Sequence, residues 1–301
     1  MERIVHQLGK EYALKDLGEF NYFLGLEVTP SHKGLHLSQT KYIGDLLKKA
    51  QMLDSKGCQT PMSSTEKLSK DKGIAFENPS LYRSVVGSLQ YVILTRPEIA
   101  FSVNKLSQFL STPSVFHCQA CKSVLRYLQL TSSYGLQFYH TGNLTLTTFS
   151  DADWGSDLDD RKSIGGYCVY LGNNLISWSS KKQQIVSRST AESEYRALTL
   201  ATLEVLWITY LFKELQVQLQ QTPVLNCDNK SAEALASNPK YHSKTKHIEF
   251  DLHFIREHVA RKEVVINHIP NCEQVADILT KPLAIDQFNY LRTKLNVLPR
   301  P

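Results

Sequence analysis

The chain has 301 residues, a length that suits one large domain or two of medium size. Hydrophobic residues make up 42% of it and aromatic residues 10%, which supports a packed core, so disorder is not the default expectation. Lysine and arginine outnumber aspartate and glutamate by 34 to 29, so a polyanionic partner is compatible with the charge but not required by it.

The sequence shows no pattern typical of a secretion signal or a membrane-spanning segment. Residues 1–18 mix acids with bases and contain no apolar run, unlike a signal peptide. The most apolar window, residues 198–212, contains Glu204 and is too short for a bilayer. We therefore expect an intracellular chain without membrane contact and with reduced thiols.

His117, Cys118 and Cys121 resemble half of a zinc site. No second Cys or His pair follows at the spacing that a zinc finger requires, so ordinary buried side chains are the preferred interpretation.

The first half of the chain predicts a hairpin followed by helices. Residues 20–40 form two strand-like runs on either side of the turn sequence SHKG. Apolar spacing predicts a helix over 42–50 and further helices over 81–130, broken near the two prolines of that range. Between them, residues 60–79 are polar and predict a linker or surface loop.

The second half predicts a mixed sheet covered by helices. Alternating runs predict three strands, over 144–151, 166–172 and 175–179, with a tight turn between the last two. The later predicted elements are a long helix over 190–215, a buried strand at VLNCD, a short helix to residue 237, a helix over 249–260, a strand at EVVINHI and a last helix over 272–281. A meander followed by alternating elements is typical of an α/β fold with a mixed sheet.

Two aspartates end predicted strands of this sheet. Asp151 ends the first strand and Asp228 ends VLNCD. If these strands are parallel neighbours, the two carboxylates meet at the carboxyl edge of the sheet, where sites gather. The alternatives are a turn residue for Asp151 and a helix N-cap for Asp228.

The long helix offers two glutamates with different expected roles. Ser189 and Glu192 have capping-box spacing, and Glu192 stands four residues before Arg196, so we expect Glu192 to stabilise the helix start. Glu194 instead shares a face with apolar residues at helical spacing, namely Ala197, Leu198, Ala201, Val205 and Ile208. A carboxylate above a buried stripe is costly unless a cation compensates it, so we favour a site residue over a side chain that reaches water.

Five aspartates lie within residues 151–160, a crowding that needs an explanation. An EF-hand calcium loop is excluded because Ser156 and Lys162 stand where glycine and glutamate are required. Period-2 alternation puts Asp153 on the same side of the strand as Asp151, and its role stays open. We expect the remaining three, Asp157, Asp159 and Asp160, to be turn and surface acids.

Ten stretches together resemble one known family. Five lie in the first half: LGEFNYFLGLEV, LHLSQTKYIGDLL, YRSVVGSLQYVILTRPEIAFSVNKLSQF, VLRYLQ and YGLQFY. Five lie in the second half: FSDADW, DRKSIGGYCVYLG, ISWSSKKQQIVSRSTAESEYRAL, TKHIEFDLHFIRE and QVADILTKPL. In this order they resemble the C-terminal Pol region of copia-type LTR retrotransposons, the second set resembling its ribonuclease H domain. The likeness runs from about residue 8 to 293.

The resemblance implies an Asp-Glu-Asp-Asp active site for cleavage of the RNA strand of an RNA–DNA hybrid. Motif by motif, it assigns Asp151 in FSDADW, Glu194 in AESEYRAL, Asp228 in NCDNKSA and Asp277 in VADILTK. Spacing alone would not have selected Asp277. His268 in INHIP is the nearest counterpart of a histidine that cellular ribonucleases H place before the last aspartate, with a possible part in product release.

The implied cofactors are two divalent cations, most suitably Mg²⁺, with Mn²⁺ as a second choice. In this hypothesis Asp151 contacts both ions, Glu194 and Asp228 complete one site, and Asp277 completes the other. A small-molecule substrate is not expected.

A basic loop near residue 240 is the candidate nucleic-acid contact. Its residues are Lys240, His242, Lys244, Lys246 and His247. Phosphate contacts by such residues provide salt-dependent affinity, and the alternative is a solvated loop.

Four segments are expected from the resemblance. They are a reverse-transcriptase remnant over 1–62 with a hairpin like the one that grips the primer, a helical thumb or connection over 63–143, a ribonuclease H-like domain over 144–284 and a C-terminal tail over 285–301. The Tyr-x-Asp-Asp hairpin of the polymerase palm does not occur in this sequence. We therefore expect no DNA synthesis by this chain in a primer-extension assay, and other parts of a Pol polyprotein are expected partners.

The sequence has two alternative interpretations, a non-catalytic remnant and a transposase or integrase. A non-catalytic element remnant, with at most nucleic-acid binding, stays open because intact carboxylates do not prove activity. A transposase or integrase is disfavoured, because those enzymes need two aspartates before the glutamate, whereas here Glu194 comes second.

Overall fold

The computed structural model describes residue 9, residues 21–237 and residues 249–301. The α-helices are α1 (Thr40–Lys49), α2 (Pro79–Val92), α3 (Ala100–Ser107), α4 (Val115–Leu130), α5 (Thr190–Glu214), α6 (Lys230–Ser237), α7 (Glu249–Ala260) and α8 (Ile285–Lys294). The 3-10 helices are η1 (Pro97–Ile99), η2 (Asn271–Glu273) and η3 (Val275–Leu279). The strands are β1 (Tyr22–Phe23), β2 (Leu26–Ser31), β3 (Gly34–Ser38), β4 (Tyr134–Tyr139), β5 (Leu146–Asp153), β6 (Ile164–Leu171), β7 (Asn174–Lys182), β8 (Val224–Cys227), β9 (Val265–His268) and β10 (Val297–Pro299).

The first sheet has the order β1-β2-β3-β4-β10 and is antiparallel throughout. The predicted hairpin is confirmed as β2 and β3, which pair with Val28 opposite Leu37. Residues 285–301, predicted as a C-terminal tail, form α8 and β10. Strand β10 pairs with β4, with Val297 opposite Leu136. The division into four segments stays a prediction.

The second sheet has the order β7-β6-β5-β8-β9. Strands β5, β6 and β7 form an antiparallel meander, whereas β8 pairs parallel to β5 and β9 parallel to β8. The tight turn between β6 and β7 uses Gly172 at φ +57°, a conformation that favours glycine. Helix α5 packs on β5 and β6, and η3 packs on the same two strands. The predicted mixed five-stranded sheet with flanking helices is confirmed.

The predicted helix over 272–281 is wrong: η2 and η3 stand there instead, joined by Gln274 in an extended conformation. The Gln274 side chain accepts a hydrogen bond from the Ala276 backbone N–H, and such local bonds compete with regular helix. Pro282 follows two residues after Thr280. A helical backbone is disfavoured for the residue before a proline, here Lys281, so the helical turn does not continue.

Among the described residues, the core consists of two hydrophobic clusters. One lies between α5 and the second sheet and includes Val169, Leu198 and Leu225. The other extends from the helices of the first half to the second sheet and η3, and includes Leu89, Leu128 and Leu279. No helix among the described residues is long and apolar enough to cross a membrane.

Candidate active site

Two of the predicted carboxylates come from parallel neighbouring strands. Strand β5 pairs with β8 in the register Thr148 opposite Leu225. Asp151 lies near the end of β5 and is 2% exposed, and Asp228 follows the last residue of β8. The N-cap interpretation of Asp228 is wrong, because the Asn229 side chain accepts the backbone N–H groups of Ser231 and Ala232, at 2.9 and 3.1 Å.

The two glutamates of α5 have different surroundings, which agrees with the different positions predicted for them on the helix. Ser189 Oγ accepts a hydrogen bond from the Glu192 backbone N–H at 3.2 Å, and Glu192 Oε2 accepts one from the Arg188 N–H at 2.9 Å. Arg196 Nη2 lies 3.0 Å from Glu192 Oε1. Glu194 is buried on the face of α5 that packs on the sheet. Glu192 therefore stabilises the helix start, and Glu194 is available to the carboxylate group.

Asp151, Glu194 and Asp228 converge on one point. A carboxylate oxygen of each lies within 4.8 Å of the other two. Burial, followed by the charges of Asp151 and Asp228, raises the pKa of Glu194 to about 10. Burial and Asp151 also raise the pKa of Asp228. Within the described part of the chain, Glu194 Oε2 has no hydrogen-bond partner. A buried, unpartnered oxygen beside two acids suits a cation ligand.

Asp277 lies beside this group rather than within it. Lys281 Nζ is 2.8 Å from Asp277 Oδ1 and 3.5 Å from Asp151 Oδ2. Thr280 Oγ1 donates a hydrogen bond to Asp151 Oδ2. Burial, followed by the charge of Asp151, raises the pKa of Asp277 to about 7. Burial alone would lower the pKa of Lys281, but the acids around it outweigh burial and raise it.

The sequence analysis missed Lys281 and Thr280 as members of this site. The spacing of four residues between Asp277 and Lys281 signals an ion pair on a helical turn. It does not reveal the contact with Asp151, which is 130 residues away from Lys281 in the chain (281 − 151). An ammonium group thus lies between two of the four predicted acids.

Gln274 is a third residue of this region that the sequence did not reveal. Its side chain is buried, and Nε2 donates to the Ser150 carbonyl at 3.0 Å while Oε1 accepts from Ala276 N–H at 3.2 Å. The Gln274 amide also opposes the rise in the pKa of Asp228 that burial and Asp151 cause. One amide therefore connects β5 to the turn that carries Asp277.

Comparison with known proteins agrees with the motifs. The model of the reverse transcriptase (RNA-dependent DNA polymerase) family matches residues 1–64. Over 301 residues, the whole chain, the sequence is 44% identical to the retrovirus-related Pol polyprotein from transposon RE1 of Arabidopsis thaliana. The chain belongs to the copia-type retrotransposon Pol family. This Pol segment spans about a fifth of the length of the curated relatives that it matches first, 20% of one and 21% of the other.

Two solved structures are also similar to the Pol segment. The N-terminal RNase H domain of a Mycobacterium tuberculosis protein is 14% identical, with a TM-score of 0.34, and the match covers 50% of this chain and 98% of that one. The foamy viral protease-reverse transcriptase in complex with RNA/DNA hybrid is 11% identical, with a TM-score of 0.46, over 87% of this chain and 30% of that one.

His268 and Asp153 lie at the margin of the site of this Pol segment. His268, the last residue of β9, donates from Nε2 to the Asp228 carbonyl at 3.2 Å. Asp153, the last residue of β5, is half-buried, and burial raises its pKa. Neither belongs to the three-carboxylate group within 4.8 Å that the described residues form. Their roles in the reaction stay predictions.

Asp157 is a turn residue, as predicted, because its Oδ1 accepts the backbone N–H groups of Asp159 and Asp160 at 3.0 and 3.3 Å. The prediction that Asp157 is a surface acid is wrong: its side chain is fully buried and lies 2.7 Å from Lys105 Nζ of α3 and 3.0 Å from Lys182 Nζ of β7. Burial alone would raise the pKa of Asp157, but hydrogen bonds from both lysines outweigh it and lower the pKa. Asp159 is exposed, as predicted, and accepts the Lys70 backbone N–H at 3.1 Å. The acidic stretch therefore anchors the linker and α3 to the second sheet.

Two further sequence predictions can be compared with the structure. His117 has no metal-binding role: Nδ1 bonds the Ser114 backbone N–H at 3.0 Å, and Nε2 bonds the Ser69 carbonyl at 3.0 Å. Cys121 is buried, as the preferred interpretation expects, whereas Cys118 is only half-buried. The loop predicted to contact nucleic acid lies outside the described residues. Its five candidate residues are Lys240, His242, Lys244, Lys246 and His247.

Proposed function

We propose that this Pol segment is a ribonuclease that hydrolyses the RNA strand of an RNA–DNA hybrid. The observation that carries the proposal is the convergence of Asp151, Glu194 and Asp228 within 4.8 Å at the carboxyl edge of β5 and β8. Asp277 is linked to the same place through Lys281. The family motifs select the same four residues, which come from separate parts of the chain.

The donor set fits divalent cations. All four side chains offer oxygen ligands, which Mg²⁺ and Mn²⁺ prefer, and the unpartnered Glu194 Oε2 offers a free ligand atom. Asp151, Glu194, Asp228 and Asp277 would hold the ions. When bound, two such ions provide an activated water and stabilise the leaving oxygen of the phosphodiester.

The chain's own residues prepare this site. Thr280 and Lys281 orient the Asp151 carboxylate, and Gln274 ties β5 to the segment that carries Asp277. Lys281 carries positive charge at the mouth of the site, where its side chain is 31% exposed and can face a phosphate. In this proposal the RNA strand is distinguished by its 2′-hydroxyls, and backbone phosphates provide salt-dependent affinity.

The decisive experiment is a cleavage assay on a hybrid with a labelled RNA strand. We expect the Pol segment to cut that RNA in the presence of Mg²⁺ and to leave a DNA duplex intact. Asp228→Asn should abolish cleavage without changing the circular dichroism spectrum, because the amide keeps the shape but loses a charged ligand. Asp286→Asn, an exposed aspartate of α8, is the matched control and should cut normally.

Two outcomes would contradict the proposal. Cleavage retained by Asp228→Asn would show that the carboxylate group is not the catalytic site. Binding of the hybrid without any cleavage by the folded wild-type chain would favour the alternative function, a non-catalytic element remnant that binds nucleic acid.

A further inference from the structure

A tryptophan stands at the mouth of the candidate site. Trp154 directly follows Asp153, the last residue of β5, and 48% of its side chain is exposed. The chain turns at once, with Gly155 at φ +60°, a conformation that strongly favours glycine. Singly exposed apolar side chains are normal, but this indole lies only three residues after Asp151, where a substrate of the candidate site would pass.

The exposed ring is held rather than free to rotate. Trp154 Nε1 donates to the Ser187 carbonyl at 2.9 Å. Ser187 is itself buried, and its hydroxyl donates to Gln183 Oε1 at 3.1 Å. Gln183 in turn donates from Nε2 to the Ser193 carbonyl of α5 at 2.9 Å, next to Glu194. A chain of hydrogen bonds thus fixes the indole relative to the catalytic helix.

The surroundings of Trp154 combine apolar and charged side chains. Ile185 and Val186, just before Ser187, are 58% and 47% exposed. A cavity of about 200 Å³ beside the ring is lined by charges of both signs, Lys67 and Lys105 against Glu66 and Asp153. Arg188 is exposed and directly follows Ser187, the residue that holds the indole. A flat exposed ring next to a cation suits contact with the bases, sugars and phosphates of a nucleic acid.

We propose that Trp154 is a substrate-contact residue that packs against the nucleotides of the hybrid beside the cleavage point. The inference rests on the proposed function and adds to it a place where the hybrid is held. An A-form-like duplex presents a wide, shallow minor groove with sugars and base edges, which a rigid exposed ring can enter. Because Trp154 contributes no metal ligand, it acts on binding of the hybrid rather than on the carboxylate chemistry.

Binding is measured in the Asp228→Asn background, which leaves the hybrid uncut, by fluorescence anisotropy of a labelled RNA–DNA hybrid. Trp154→Ala should weaken binding about 5- to 100-fold, the range typical of a lost aromatic contact with a nucleotide. Trp154→Phe keeps a ring and should lose much less. Trp207→Ala removes another exposed tryptophan, on α5, and should bind like the parent.

Quenching of tryptophan fluorescence by the hybrid is a second test, because a Trp154 side chain with a purely structural role would not be quenched. Addition of the hybrid should quench the emission of the parent and of Trp207→Phe, but much less that of Trp154→Phe. Melting temperatures of all variants control for folding. Equal affinity of Trp154→Ala and Trp207→Ala, or equal quenching in Trp154→Phe and the parent, overturns the inference.

The failure of this inference is distinguishable from failure of the proposed function. The absence of Mg²⁺-dependent cleavage by the folded wild-type chain overturns the proposed function. Normal cleavage together with unchanged hybrid affinity in Trp154→Ala overturns only the role of Trp154.

Discussion

Glu192 and Glu194 are two residues apart, yet only Glu194 faces the other acids. Two residues correspond to about 200° of rotation around a helix, so the side chains point to nearly opposite sides. Glu192 meets Arg188 N–H and Arg196 at the helix start, whereas Glu194 meets Asp151 and Asp228. The capping spacing and the apolar stripe together predicted this division.

Substitution of these two glutamates tests that division. Glu194→Gln should lower the rate of hybrid cleavage by at least about 100-fold, because it removes a charged ligand from the centre of the site. Glu192→Gln, the matched control, should keep most of the rate and reduce only stability, by about 0.5–2 kcal/mol, through the weaker cap. Rates and urea unfolding curves distinguish the two effects. Equal rate losses would contradict the assignment.

The buried acids predict how stability depends on pH without metal. Their pKa values rise on folding, from 4.5 to about 10 for Glu194 and from 3.8 to about 7 for Asp277. A raised folded pKa gives stability that is full below the unfolded pKa and is lost as pH rises through the folded value. The melting temperature in EDTA should therefore fall between about pH 5 and about pH 9.

Mg²⁺ provides the control for this pH dependence. Bound cations favour the charged carboxylates, so the fall should be smaller when Mg²⁺ replaces EDTA. Asp277→Asn should flatten the part of the EDTA curve near pH 7, because the amide does not titrate. A fall of the same size with and without Mg²⁺ would argue against a cation at these acids.

At the scale of elements, the site depends on a close approach between η3 and β6. A Cβ at Gly166 would lie 2.9 Å from Leu279 Cβ and 2.9 Å from Thr280 Cγ2. These two residues belong to the segment that carries Asp277 and the hydroxyl bound to Asp151. The lack of a side chain at Gly166 therefore sets the distance between the last aspartate and the other acids.

Gly166→Ala tests this approach, and the neighbouring glycine offers the control. We expect Gly166→Ala to cost about 1–3 kcal/mol of unfolding free energy and to reduce cleavage, because η3 must move away from β6. A Cβ at Gly165 would lie 3.4 Å from Gln183 Nε2 and 3.5 Å from Ala197 Cβ, ordinary contact distances, so Gly165→Ala should be milder. Equal effects on cleavage by the two variants would refute this account of η3.

At the scale of the whole molecule, one hydrophobic cluster crosses the predicted segment boundaries. Ile278 and Leu279 of η3 pack in the same cluster as Leu106 and Leu128 from the first half and Phe288 of α8. Strand β10 extends the first sheet, although it lies at the other end of the sequence. The four predicted segments therefore share a core in the folded chain.

Excision of the predicted ribonuclease H-like segment tests this sharing. Residues 144–284 expressed alone would expose the apolar side of η3, so we expect their melting temperature to be lower than that of the full chain by more than about 5 °C. Restoration of residues 63–143 and 285–301 should recover most of the difference. A melting temperature equal to that of the full chain would show that the segment is an independent domain.

The sequence by itself determined the hairpin, most elements of the second sheet and its helices, and three of the four acids as candidates. Alternation and apolar spacing are local properties, so they predicted the hairpin, the meander and α5, and strand ends and an apolar stripe pointed to Asp151, Asp228 and Glu194. Asp277 needed the family motifs, because its segment folds as a 3-10 turn rather than as the helix that its spacing suggested.

Only the tertiary structure decided the contacts between distant parts of the chain. The burial of Asp157 between Lys105 and Lys182 and the contact of Lys281 with Asp151 depend on packing across more than one element. The same holds for the bond from Trp154 to Ser187. Such contacts have no periodicity in the sequence, because they arise where elements distant in the chain meet in space.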